Sequence, residues 1–191
     1  MRTASFAALG LALALGACAS EGLVKVTNVT QASGFSMGHV QYAAARGEVF
    51  AEIRGTAFDS QTAGSEEAIA SSLRLPNLYP RARITTRPSE GARTSQRLAF
   101  VFNPDRPPGA ALMCSQIDRV PVAPPGVETH AQAAFCSGER LLAQAHAVGP
   151  AALGPEDPAF QDLMRQVLVS LLRNPAADRV SFQHCVLQDC L

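Results

Sequence analysis

Two hydrophobic periods meet within one stretch of this chain and leave few ways to fold it. Between residues 131 and 148 apolar and polar side chains alternate, and from 157 to 173 the apolar spacing changes to three and four. The first period belongs to strands and the second to a helix. If Gly138 takes the left-handed position of a three-residue loop formed by Cys136, Ser137 and Gly138, Phe135 pairs with Glu139. One face then carries Ala131, Ala133, Phe135, Leu141, Ala143, Ala145 and Ala147. The other carries Gln132, Ala134, Arg140, Leu142, Gln144 and His146, so one face is buried and one wet. A two-residue loop would scramble this segregation, which favours the longer one.

In the segment that follows, Phe160, Leu163, Met164, Val167, Leu168, Leu171 and Leu172 form one apolar stripe. Asp157 is placed to cap its first turn, Pro158 suits the first helical position, and the Asn174-Pro175 pair stops it. The alanine face of the hairpin is low, so the bulky stripe can approach closely and fill it. That contact is the expected core.

Other elements follow along the chain. Residues 23–29 read as an edge strand, and 31–38 as a loop. Residues 41–45 are expected to pair through Arg46 and Gly47 with a strand over 48–54, in which Val49, Ala51 and Ile53 oppose Phe50 and Glu52. Residues 65–75 read as a short helix capped by Thr62 or Ser65, with Ala68, Ile69, Ser72 and Leu73 inward, ending before Pro76. Strands are expected over 82–87, 97–103 and 113–122; in the second, Leu98, Phe100 and Phe102 share one face and Ala99 and Val101 the other. The order implies an α+β, two-layer domain with a mostly antiparallel sheet and helices packed on one face. The 191 residues are read as a signal peptide over 1–17, an anchor and tether over 18–22, and a single domain over 23–191.

That signal assignment rests on Arg2, an apolar run from Phe6 to Leu15, and the sequence Leu15-Gly16-Ala17-Cys18. The run is too short to serve as a stop-transfer span. Leu15-Gly16-Ala17-Cys18 resembles the lipobox of bacterial lipoproteins. The resemblance implies cleavage before Cys18 and attachment there of acyl chains such as palmitate; Ala19, rather than Asp, implies the periplasmic face of the outer membrane. More than one acyl chain on a residue gives stable anchoring, where a single chain is marginal.

After cleavage 15 basic residues face 16 acidic ones, because Arg2 leaves the 16 of the whole chain. No global field steers a polyanion, and no nucleic-acid partner is expected. Apart from Cys18 the cysteines number four, Cys114, Cys136, Cys185 and Cys190, an even set in an oxidising compartment. Three pairings are possible; Cys114 with Cys136 and Cys185 with Cys190 are favoured.

A second resemblance rests on Tyr42-Ala43-Ala44, on Glu48 through Phe58, on Thr85-Thr86-Arg87-Pro88, on Leu98 through Pro104, on Cys114 and on Phe135-Cys136. Together they look like a family of uncharacterised bacterial envelope proteins, a likeness that covers most of the mature chain and implies no activity.

Sites for chemistry are sparse. Of His39, His130, His146 and His184, none has metal-ligand spacing; His184-Cys185 with Cys190 comes nearest, and a disulfide is the better use of those cysteines. No metal or other cofactor is expected. The chain lacks Cys-x-x-Cys, Gly-x-Ser-x-Gly and a phosphate-binding glycine loop. Cys114 or Cys136 with His146 or His130 would make a nucleophile and base, but cysteine parity favours a structural disulfide. Glu48 and Glu52 share a strand face and would suit acid/base work on a glycan, although a solvated strand face explains them as well. From residue 74 to 106 stand Arg74, Arg81, Arg83, Arg87, Arg93, Arg97 and Arg106 against Glu90 and Asp105. On an unbroken strand Arg81, Arg83 and Arg87 share a face suited to phosphate or carboxylate, unless each is separately solvated.

These features favour a non-enzymatic envelope component that binds a partner or an anionic envelope polymer, or else a purely structural lipoprotein with no soluble ligand. The competing expectation is a small envelope hydrolase using His146 or the Glu48 and Glu52 pair.

Overall fold

The computed structural model describes residues 23–59 and 66–173. Its elements run β1 (Lys25–Gln31), α1 (Met37–Ala44), β2 (Glu48–Arg54), α2 (Glu66–Ser72), β3 (Arg83–Thr85), β4 (Gln96–Phe102), α3 (Ala110–Ser115), β5 (Glu128–Ser137), β6 (Arg140–Pro150) and α4 (Pro158–Leu171), with a 3-10 turn over Ile117–Arg119. The fold is α+β, with a six-stranded sheet in the order β1-β6-β5-β4-β2-β3. The first three pairings along that order are antiparallel, and β2 is parallel to both β4 and β3.

Helix α4 lies on the alanine floor. Asp157 caps it by accepting from the Ala159 amide at 2.9 Å, and Pro158 follows at the first position. Phe160, Leu163, Met164, Val167, Leu168 and Leu171 are all buried, packed with Ala131, Ala133, Ala143, Ala145 and Ala147 in the main core. A side chain on Gly149 would meet Leu163 Cδ1 at 3.2 Å, so this end of β6 is also kept low. Phe160 meets the rings of Phe58 and Phe102 with centroids 4.8 and 5.8 Å away.

The hairpin keeps its alternation by a different device from the expected loop. Ser137 pairs with Arg140 across a two-residue loop whose first position, Gly138, has φ +58°. The register slips once, between Phe135, which faces Ala143, and Cys136, which faces Leu141. Leu142 is the extra residue of that bulge and enters the main core, while Leu141 packs beside Cys136 on the opposite face. The expected pairing of Phe135 with Glu139 is thus replaced: Phe135 faces Ala143, Ala133 faces Ala145 and Ala131 faces Ala147, so the alanines share one face in a shifted register, and Leu141 and Leu142 exchange the faces expected of them.

Two expected strands are helical. Residues 41–44 belong to α1 and Ala45 is its C-cap; the helix buries Val40, Ala43 and Ala44 at helical spacing, and Ser36 and His39 form its capping box. Strand β2 therefore pairs with β3 and β4 instead of closing a hairpin. Met113, Cys114, Ile117 and Val120 recur at helical intervals, and they bury against Ala99, Val101, Ala134 and Cys136 as α3 and the turn after it. The face expected to be wet is thus partly covered, and α3 lies across the sheet from α1, α2 and α4. Cys114 and Cys136 form a disulfide there, with Cα atoms 5.6 Å apart. In α2 the fully buried positions include Ala70, whereas Ala68 is only half-buried. Thr62, Ser65, Asn174 and Pro175 lie outside the described residues.

Candidate functional site

The residues suggested for acid/base chemistry are all engaged. Glu48 is buried on β2; its carboxylate accepts from the amide of Ser89 at 3.1 Å and from the Ser89 hydroxyl, and sits 3.5 Å from the Arg83 guanidinium. The Ser89 hydroxyl above all holds its pKa below the usual value, so Glu48 is held ionised. Glu52 is bound separately, 2.6 Å from Arg97 Nε. Arg97 also donates to the carbonyls of Cys114 at 2.5 Å and Gly138 at 2.9 Å, tying β2 to α3 and to the hairpin tip. Each carboxylate has its own guanidinium, so the two do not form a proton-sharing pair.

His146 pairs across strands with Thr27, whose hydroxyl lies 3.2 Å from Nδ1. Its ring centroid is 5.9 Å from that of His130, and burial followed by repulsion from His130 lowers its pKa. Thr27 and His146 are neighbours on an open ladder, and neither lines a cleft described below. Among the described residues no group of three His, Cys, Asp or Glu side chains is arranged to hold a metal. Cys18, His184, Cys185 and Cys190 lie outside those residues.

The strand expected to align Arg81, Arg83 and Arg87 is short. Glu67 ends it, accepting from the hydroxyls of Thr85 at 2.8 Å and Thr86 at 2.8 Å and from the Thr86 amide at 2.6 Å. Burial pushes the Glu67 pKa up, but hydrogen bonds from Thr86 and Thr85 outweigh it and leave it lowered. Arg87 lies past the end of β3, where its amide donates to the Thr85 hydroxyl at 3.0 Å. Arg81 and Arg83 instead join Arg74 along a polar groove of about 720 Å³, beside Tyr79 and Asn77.

Next to it runs a larger concavity, about 990 Å³, between α4 and the connection from α2 to β3. Leu73, Leu75, Leu78, Met164, Leu168 and Leu172 form its apolar walls, with Val169 and Met37 beside them. This volume is in the range of small-ligand clefts. Leu78 is 56% exposed and Val169 47%, so apolar side chains flank it in contact with solvent. The back of the groove is fixed. The Tyr79 hydroxyl donates to the Leu172 carbonyl at 2.5 Å, and burial raises its pKa. Gln31 Nε2 donates to the carbonyls of Leu171 at 3.0 Å and Arg173 at 2.7 Å, capping α4 from β1.

Arg74, Leu75, Pro76 and Asn77 line both grooves, which are therefore continuous. Sequence reasoning missed the apolar groove, although Leu75, Leu78 and the polar-side Val169 are the signal it left. Among the described residues no helix is long and apolar enough to cross a membrane. No protein-family model matches the chain, and no curated protein or solved structure matches it either.

Proposed function

We propose that this chain is a non-enzymatic binding component of the bacterial envelope, anchored through Cys18 to the periplasmic face of the outer membrane, and that the groove beside α4 receives its ligand. The observation that carries this reading is the groove itself, a fixed apolar cleft of about 990 Å³ with Leu78 and Val169 left in solvent beside it. The carboxylates and histidines offered for catalysis are held by other partners away from it, which favours binding over hydrolysis. The +1 charges of Arg74 and Arg81 at its edge extend the expectation of an anion-binding face to a defined place.

The test uses a neutral apolar dye, N-phenyl-1-naphthylamine, with the lipid-free chain of residues 19–191, which omits Cys18. One dye per chain is expected, and Val169→Asp, a change at a half-exposed position, abolishes its binding. No saturable binding, or binding that Val169→Asp leaves unchanged, overturns the reading.

A further inference from the structure

We propose that the two continuous grooves are one site for an anionic lipid, whose acyl chain lies along α4 and whose phosphate is held by Arg74 and Arg81; this rests on the groove being a ligand site. The apolar groove is lined by α4, about 20 Å long at helical rise, and by Leu172 and Arg173 just after it. One leaflet of a bilayer, half of roughly 30 Å of hydrocarbon, sets the reach of an acyl chain at about 15 Å. The groove is long enough for one.

Charge complementarity selects the head group. Arg74, Arg81, Arg83, Arg165 and Arg173 line the joined grooves against the single carboxylate of Asp162, which is bound to Arg165 and to Gln166. Arg83 is partly engaged by Glu48 at 3.5 Å, and Arg74 donates to the carbonyls of Ser71 and Leu73. Arg81 is exposed and lines the polar groove between Pro80 and Ala82. Guanidinium groups bind phosphate oxygens in a bidentate way that suits this placement.

The direction of the lipid follows from Tyr79, which lines the arginine groove and bonds to Leu172 at the C-terminal end of α4. An anion at that end would ordinarily meet the negative pole of the helix. Here Gln31 and Tyr79 already satisfy the carbonyls of Leu171, Leu172 and Arg173, which reduces that opposition. The phosphate then sits by Arg74 and Arg81 and the acyl chain runs back towards Pro158.

Calorimetry with the lipid-free chain of residues 19–191 tests this, using palmitoyl lysophosphatidylglycerol and its phosphatidylcholine counterpart below micelle-forming concentration. The anionic lipid is expected to bind one per chain and at least about tenfold tighter than the zwitterionic one, the equivalent of one charge-assisted hydrogen bond. Arg74→Gln with Arg81→Gln removes that preference, and Val169→Asp removes binding of both. Equal binding of the two lipids, unmoved by the arginine changes, overturns the head-group assignment and leaves the groove a ligand site. Dye binding with no lipid binding overturns the lipid alone, and loss of both removes the underlying reading as well. Lipid binding that appears only when residues 174–191 are deleted makes that segment the occupant. A dimer in sedimentation that Val169→Asp dissolves makes it a second copy; either result overturns the proposal.

Discussion

Replacing Leu163 by Ala removes the side chain that sits deepest over the end of the alanine floor. Leu163 is fully buried, and its Cδ1 lies 3.2 Å from where a Cβ on Gly149 would be. Three carbons leave the core, worth about 2.4 kcal/mol at ~0.8 kcal/mol each. The cavity left behind raises the expected cost into a range of roughly 2.5–5 kcal/mol. Gly149→Ala alone forces Leu163 to give by a few tenths of an ångström, with Val24 Cγ2 at 3.5 Å on its other side. In the Leu163→Ala background the same methyl enters free space and recovers about 0.8 kcal/mol. The double-mutant cycle is therefore favourable by at least about 0.5 kcal/mol, the scale expected for residues in contact. Urea unfolding of the oxidised chain, followed by circular dichroism with the slope unchanged, measures all four corners. A cost below about 1 kcal/mol for Leu163→Ala, or a cycle that closes at zero, would refute the packing of α4 on this floor.

Three other outcomes are expected. Replacing Cys114 and Cys136 together by Ala, which opens a loop with sequence separation 22, costs about 3 kcal/mol in the same assay. Glu48 and Glu67 have folded pKa values below the ordinary 4.5, so their contribution is complete above that value and is lost as the pH falls through their lower folded values. A urea midpoint followed from pH 7 to pH 2 falls along that limb, and falls less steeply in Glu48→Gln or Glu67→Gln. Cys18→Ala releases the chain from the membrane fraction into the soluble periplasmic fraction, and persistence in the membrane would remove the proposed anchor.

The parts of the fold legible in the sequence are those whose burial pattern is one-sided and long. The α4 stripe spans the whole helix, and the split of Leu98, Phe100 and Phe102 from Ala99 and Val101 falls on opposite core clusters. Short elements were misread because few positions establish their period. Residues 41–45 fit a strand only while Ser36 and Val40 are left out, and of these Ser36 caps the helix and Val40 opens its buried face. Residues 113–122 show no strand alternation, and Met113, Cys114, Ile117 and Val120 carry the burial at helical intervals. Parallel pairing of β2 with β3 and β4 has no local signal, since β2 is distant in sequence from both. The groove was hidden for the same reason: its walls come from residues 73–78 and from α4. Among the arginines, chain order put Arg87 with Arg81 and Arg83, whereas the turn fixed by Glu67 leaves Arg74 in that position.

Apart from Met1 the chain carries three methionines, and the structure places Met37 and Met164 on the apolar groove and Met113 in the cluster beside the disulfide. Methyl NMR of the methionine-labelled chain of residues 19–191, titrated with palmitoyl lysophosphatidylglycerol, therefore reports on the site directly. Saturable shifts of the Met37 and Met164 signals with Met113 unmoved are the expected result. Unmoved Met37 and Met164 signals at saturating lipid, or a shift confined to Met113, would contradict the account.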